Sequence, residues 1–342
     1  MYLINSYKFG GATPVSPDFT MLVKTDNAGT SASDQFTIPT NGTGYNYDVD
    51  WGDGTTSTGV TGSTTHTFPS AGNYVVKISG DFPRIRFANG GDRLKLLEVQ
   101  NWGNIVWQTF YLAFFNCANM NITANDTPDL SAITGGGEFY YAFRQCNIQN
   151  SPKISDWDVS IIPDFRSMFY ANSNFNENLN GWDMSSASLL GDMFTSCTSF
   201  NQPLDNWDVS NVVNLSGIFY NSAVFNQDLS GWDVSLCGTF QNMFRLSSFN
   251  HNIGNWQIAS LTNASAMFFN SGMSTANYTD TIVGWANYVF INGAPLNVNM
   301  GTQNGMTFDT TRSGGANFAT AGDARTYLTT TAGWTISSDT VI

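Results

Sequence analysis

The sequence predicts a mainly β protein with short helices, built as an antiparallel β-sandwich, a repeat solenoid and a C-terminal cap. Three observations carry that expectation. Tryptophans fall at Trp157, Trp182, Trp207, Trp232 and Trp256, at intervals of 25, 25, 25 and 24 residues. Upstream, short alternating apolar and polar runs are separated by Gly, Asn, Ser, Thr and Pro, the pattern of antiparallel strands joined by turns. Beyond Phe268 the period stops and apolar residues take a helical spacing.

Composition bounds the function classes. The 342 residues include Phe 26, Trp 10 and Tyr 13 while only 11% are charged, so there is ample apolar material for a core. A net charge of −13 opposes wrapping a phosphate backbone, and no nucleic-acid partner is expected. The one basic cluster, Arg84, Arg86, Arg93 and Lys95, has Asp81 and Asp92 beside it and reads as a solvated strand face. No run of apolar residues is long enough for membrane insertion. Residues 1–10 have neither a basic n-region nor an uninterrupted apolar stretch, so they do not read as a secretory signal.

Taken in order, residues 1–17 read as an irregular lead-in or anchor segment with Gly10-Gly11, Pro14 and Pro17. Residues 18–90 form the sandwich, with strand runs at 20–24, 35–38, 45–51, 65–68, 74–78 and 84–87. Within it, Asp48, Asp50 and Asp53 are weak candidates for binding calcium, because three neighbouring carboxylates can supply hard oxygen ligands. An EF-hand loop starting at Asp48 fails, since Gly52 and Gly59 stand where ligands are required, so turn capping is the leading reading and no metal or cofactor is expected. Trp51-Gly52-Asp53-Gly54-Thr55, followed by Gly72-Asn73-Tyr74-Val75-Val76, resembles the PKD domain, an immunoglobulin-like sandwich, over about Phe19 to Phe87. That resemblance implies a spacer or binding module without catalytic residues.

Residues 91–272 carry the repeat. Ile154, Leu179, Leu204, Leu229 and Ile253 each precede a Trp by three, and the intervals contain Phe175-Asn176, Phe200-Asn201, Phe225-Asn226 and Phe249-Asn250. The Met168-Phe169 pair recurs as Met193-Phe194, Ile218-Phe219, Met243-Phe244 and Met267-Phe268, with Ala113-Phe114 and Ala142-Phe143 as degenerate first rungs. Val212, Leu215, Ile218 and Phe219 fit one helical face, and Ser160, Ser185, Ser210 and Ser235 are placed to cap such short helical turns. Cys117, Cys146 and Cys197 share one column, where buried thiols are favoured over a Cys117–Cys146 bridge. The phrase from Phe200 to Ser210, Phe-Asn-Gln-Pro-Leu-Asp-Asn-Trp-Asp-Val-Ser, resembles the hallmark of the BspA-like leucine-rich-repeat family over about Leu94 to Phe268. The resemblance implies non-catalytic surface proteins that attach to other proteins, matrices or cells, with related repeats in bacteriophage genomes.

Residues 273–342 read as the cap: Ile282, Trp285, Ala286 and Val289 fit a helix over the last rung, residues 316–328 are expected to be helical, and Gly333–Ile336 a closing strand.

Chemistry is sparse. His66 and His251 lie in different units, so neither a His-based metal cluster nor a Ser-His-Asp arrangement can be assembled. Asp158, Asp183, Asp208 and Asp233 form a column of equivalents, which indicates backbone capping in every turn, and no enzyme is expected. The five Trp residues read as buried scaffold, leaving the variable positions Glu177, Asn178, Gln202, Gln227, Asp228, His251 and Asn252 as the candidate binding face. These features imply an exterior bacteriophage virion component for host attachment, contacting other virion proteins and a host-surface protein or glycan, with oligomerisation allowed. A bacterial cell-surface adhesin and a carbohydrate-binding module are the alternatives.

Overall fold

The computed structural model describes residues 16–134 and 138–342, so nearly all of the expected lead-in lies outside the described residues. The protein is mainly β, with few helices.

The N-terminal unit contains β1 (Phe19–Lys24), β2 (Gln35–Ile38), β3 (Asn46–Asp50), β4 (Thr56–Val60), β5 (Thr64–Thr67) and β6 (Asn73–Asp81). β6 lies between β3 and β1, β4 pairs with β3, and β2 pairs separately with β5, all antiparallel. Period-two alternation places Phe19, Met21, Val23, Tyr47, Val49, Val76 and Ile78 in the core. β4 was not foreseen because Thr-Ser-Thr-Gly-Val has no apolar alternation, which an edge strand does not need. The strand expected at 84–87 is absent. Instead the N–H of Phe87 donates to Ala113 O (2.8 Å) and that of Ala88 to Leu112 O (3.1 Å), while the Phe87 ring packs against Phe114. Its apolar residues are buried as their alternation implies, but this segment opens the repeat stack.

The large sheet also continues past residue 90. β7 (Leu96–Asn101) pairs antiparallel with β1, and β8 (Asn121–Ile122) pairs parallel with β7. At this junction the expected solvated basic face is corrected, because Lys95 is 0% and Asp92 1% exposed. Lys95 Nζ donates to Ser31 Oγ (2.7 Å), Ala32 O (2.7 Å) and Gln35 O (2.8 Å). The Asp92 carboxylate accepts from the N–H groups of Thr30, Ser31 and Thr37 and from Ser31 Oγ. Buried charges survive only when so satisfied, and these two pin the loop before β2 to the start of β7.

In the repeats, parallel bridges run Asp164, Leu189, Asn214, Thr239 and Asn263, one per period, and pass on from Asn263 to Asn299 beyond the repeats. After the first bridge, the N–H groups of Phe165, Ser167, Phe169 and Ala171 donate to carbonyls of the next rung, Leu189, Gly191, Met193 and Thr195, at 2.7–3.0 Å. The N–H groups in between, Met168, Tyr170 and Asn172, close turns onto Phe165, Ser167 and Phe169. Two left-handed residues make this possible, Ser167 (φ 52°) and Ala171 (φ 58°), and the pair recurs at Asp192 and Ser196, Gly217 and Asn221, Asn242 and Leu246, and Ala266 and Asn270. The expected short helical turns are therefore non-helical. A helix would consume every N–H within its own rung, whereas here alternate N–H groups must hold the neighbour. The Ser caps are corrected too: the acceptors are Asp158, Asp183, Asp208 and Asp233, whose Oδ1 atoms take the N–H of Ser160, Ser185, Ser210 and Ser235.

The far end is closed by α1 (Thr275–Asn292), β9 (Asn299–Thr302), β10 (Thr307–Phe308), α2 (Ala321–Thr326), β11 (Thr335–Ser337) and β12 (Thr340–Val341). The helix expected from residue 316 starts at Ala321, after a capping box between Thr320 and Asp323. β9 is the next layer of the ladder, and Gln303 just after it, 0% exposed, accepts the N–H of Phe268 at its side-chain oxygen. β11 adds to β9 in parallel. Ser274 caps α1 by accepting from the N–H of Asn277, and Gly293 ends it in the left-handed conformation. Gly284 brings α1 against the backbone of Gly254, leaving no space for a Cβ. In an unhindered helix Gly284→Ala would stabilise by about 0.5–1 kcal/mol. Here it is expected to destabilise by about 1–3 kcal/mol through overpacking, and a urea melt reads the sign.

Candidate functional site

The five repeat tryptophans are at most 4% exposed. Four of the five indole N–H groups reach back one rung: Trp182 Nε1 donates to Ile154 O, Trp207 to Leu179 O, Trp232 to Leu204 O and Trp256 to Leu229 O, all at 2.9 Å. Trp285 of α1 occupies the next place, donating to Ile253 O at 3.1 Å. At the other end, the buried Trp157 Nε1 has no partner. The spacing thus follows from a staple that joins each rung to the one before.

The same logic governs the cysteines. Cys146 Sγ donates to Phe114 O and Cys197 Sγ to Phe169 O, both at 3.0 Å; in the equivalent places Asn172 Nδ2 serves Phe143 O (2.7 Å) and Ser222 Oγ serves Phe194 O (2.6 Å). The column requires a small buried donor, which thiol, hydroxyl and amide all supply. All four cysteines are free and buried. Burial pushes the Cys197 thiol up, and that of Cys237 to about 11. Iodoacetamide is therefore expected to leave all four unmodified in the native protein and to alkylate them on unfolding, with mass spectrometry as the readout.

The edge between Phe-Asn and Trp carries the candidate binding residues, and they sort into two columns. The Asn ladder beside them is inter-rung: Asn176 Oδ1 accepts from Asn201 N–H, Asn201 from Asn226 and Asn226 from Asn250, at 2.8–3.0 Å. Three candidates join that ladder. Glu177 Oε1 accepts from Ser151 N–H, Gln227 Nε2 donates to Asn201, and His251 Nε2 lies 3.2 Å from Asn226 O. Three others turn the chain: Asn178, Asp228 and Asn252 accept from the N–H two residues on, and these three are exposed. Gln202 is half-buried.

Along this edge lie two cavities. One of about 670 Å³ is lined by Asn150, Ser151, Glu177, Asn178, Asn180 and Asn206, among others. The buried Ser151 hydroxyl there has no partner. The other, about 400 Å³, is lined by Pro203, Asp205, Gln227, Asp228, Ser230 and Gly231. Amide donors beside carboxylate acceptors suit an uncharged hydrogen-bonding ligand.

The acids of the repeat are engaged in turns. Hydrogen bonds from Ser185 and Ser210 hold the Asp183 and Asp208 carboxyls below their ordinary range. The calcium candidates are likewise occupied: Asp48 Oδ1 accepts from Gly59 N–H, Asp50 Oδ1 from Gly52 N–H and Asp53 Oδ1 from Thr55 N–H and Oγ1. Among the described residues no group of three or more His, Cys, Asp or Glu is placed to hold a metal ion. Asp53 Oδ2 instead lies 2.8 Å from His66 Nε2, and the His66 ring stacks on Trp51 at 4.7 Å. No described helix is long and apolar enough to cross a membrane.

One column escaped sequence reasoning. The residue after each Met-Phe pair or its equivalent is Phe115, Arg144, Tyr170, Thr195, Tyr220, Arg245 and Phe269 in successive rungs. All but Thr195 are half-buried. The available signal was this alternation of Arg with aromatics at one repeat position.

The family model described as Mycoplasma protein of unknown function, DUF285, matches residues 109–220, 137–248 and 181–285. No curated protein and no solved structure matches the chain. The overlapping matches follow the repeats and together span residues 109–285, 177 of the 342 residues. This chain accordingly belongs to the DUF285 family, in keeping with the BspA-like kind of surface protein that its repeats resemble.

Proposed function

We propose that the chain is a non-catalytic surface recognition protein, in which a leucine-rich-repeat solenoid follows an immunoglobulin-like, PKD-like sandwich. The observation that supports this reading is the division of labour within each rung. The recurring Phe, Leu, Trp and Met residues are buried, while Asn178, Asp228 and Asn252 stand exposed on one edge beside the cavities. The ligand-facing edge is tested by binding the purified chain to intact host bacteria. Asn178→Ala, Asp228→Ala and Asn252→Ala together should weaken adsorption at least tenfold while the unfolding midpoint stays within a few degrees. Unchanged adsorption would refute the edge as the recognition surface.

In its finer form the proposal places the chain on the exterior of a bacteriophage particle, on the tail or capsid surface, for host attachment. Sparse charge and the pairing of two modules of recognition type support that placement. Mass spectrometry of purified virions should then detect the chain. The family match, to a description naming Mycoplasma, favours a second placement as a cell-surface adhesin. Protease shaving of intact cells should then release its peptides, and their absence would remove that placement.

A further inference from the structure

Seven of the thirteen basic residues fall from Arg84 to Arg166, and most arginines in the repeats sit against aromatic rings. Two of them differ from the rest. Arg144 lies with its guanidinium carbon 3.7 Å from the centre of the Tyr170 ring on the next rung, 5.6 Å from Phe115 on the rung before, and 4.6 Å from Tyr141. Arg245 is flanked in the same way, 4.3 Å from Phe269 and 5.8 Å from Tyr220. Stacking of this kind occupies the faces of the guanidinium and leaves only its in-plane N–H edge for hydrogen bonding.

Three other arginines use that edge, whereas the Nε atoms of Arg84, Arg86 and Arg93, outside this column, also lack a partner. Arg166, Arg312 and Arg325 are each bidentate to a carboxylate, of Asp164, Asp280 and Asp339. Among the described residues Arg144 and Arg245 have no carboxylate within 4.0 Å, and their Nε atoms are buried without a hydrogen-bond partner, which leaves the terminal nitrogens as the donors open to a ligand. Asp192, on the same face, accepts from Thr195 Oγ1; burial raises its carboxyl, and that hydrogen bond and the nearby Arg144 charge offset part of the rise without forming an ion pair. The column therefore holds two oriented guanidinium groups with no carboxylate at ion-pair distance, in a protein of net charge −13.

We propose that this face docks an extended acidic segment of a partner protein, Arg144 and Arg245 each taking one carboxylate. The chemistry selects a peptide over a glycan, because the aromatic faces a sugar would need are covered by guanidinium, and Tyr and Arg are the residues that dominate protein interfaces. Spacing sets the register. Arg144 and Arg245 are four rungs apart, about 19 Å at roughly 4.8 Å per rung, which an extended peptide at about 3.3 Å per residue spans in about six residues. Acidic side chains at i and i+6 also fall on one side of a strand.

The test uses the whole chain and a fluorescein-labelled Ser/Thr decapeptide with Glu at positions 2 and 8, read by fluorescence anisotropy. Saturable, salt-weakened binding is expected, at least tenfold tighter than for peptides with Gln at both positions or with Glu at 2 and 5. Arg144→Lys with Arg245→Lys should lose at least tenfold, since an ammonium cannot offer the planar two-donor edge, while Lys77→Gln on β6 should change nothing. Equal binding of the Gln peptide, full retention by the Lys variants, or tighter binding of polygalacturonate than of the peptide would each overturn the proposal. If the double variant unfolds, the comparison of peptides on the unaltered chain decides alone.

Discussion

Trp207→Ala is expected to cost about 3–5 kcal/mol in unfolding free energy, the range for truncating a buried aromatic. Trp207 is 3% exposed, its ring stacks on Trp232 at 6.5 Å and an interplanar angle of 5°, and its indole N–H is the partner of Leu179 O. Truncation removes apolar contact on both sides and leaves a buried carbonyl without its donor, and each loss is destabilising. Because every rung touches only its neighbours, the damage should divide the ladder at that point. Urea unfolding followed by circular dichroism should then show a broadened or two-step transition. A binding-platform role for this column predicts the opposite pattern, a folded protein that has lost its partner, and that result would reverse the assignment of faces.

Asp92→Ala should be comparably damaging, at about 3–5 kcal/mol, because it removes one member of a buried charged cluster and strands the other. Three backbone N–H groups of residues 30, 31 and 37 would lose their acceptor, and the fully buried Lys95 would lose the carboxylate that shares Ser31 with it. Chemical denaturation of the variant measures the loss, and Asp92→Asn should recover only part of it. The pH dependence has a definite sign. Burial alone would raise the Asp92 carboxyl, but the hydrogen bonds from Ser31 and Thr37 outweigh it and hold the group below its ordinary value. Asp53 behaves alike: burial opposes ionisation, yet Thr55 and His66 bring it down to about 2 from 3.8. A depressed carboxyl contributes stability that is complete above its unfolded pKa and is lost as pH falls through the folded one. The N-terminal unit should therefore keep its midpoint down to about pH 4 and lose stability between about pH 4 and pH 2. A midpoint that falls already between pH 7 and pH 5 would assign the acid sensitivity to other groups.

Much of the architecture could be read from the residues because a repeat states its contacts many times. The 25-residue period, the Phe, Leu and Trp columns and the apolar face of α1 each appear where their spacing put them. The misreadings share a cause. Apolar spacing at 212, 215, 218 and 219 fits a helix and equally fits a chain of turns, and only backbone dihedrals such as φ 62° at Gly217 separate the two. Likewise, charge at Asp92 and Lys95 reads as surface until the loop from residue 27 to 37 folds over it.

The candidate site was legible to a lesser degree. Variable positions between Phe-Asn and Leu did locate the edge that bears the cavities, but which of them face solvent depends on hydrogen bonds between neighbouring rungs. Glu177, Gln227 and His251 are drawn back onto the preceding rung, whereas Asn178, Asp228 and Asn252 spend one oxygen on a local turn and remain outside. The Arg–aromatic column was invisible for a related reason: its members are 25 or so residues apart and become neighbours only through stacking.

By itself the sequence determined that this protein is a mainly β stack with a fixed period, and which side chains form its core, because local apolar patterning and repetition suffice for both. The tertiary structure alone decided where the polar groups go. A buried or stacked polar side chain takes its role from whatever donor or acceptor the next rung places within hydrogen-bonding distance. That is why Cys197 is a donor to Phe169, why Asp92 is buried, and why the buried Arg144 Nε has no partner.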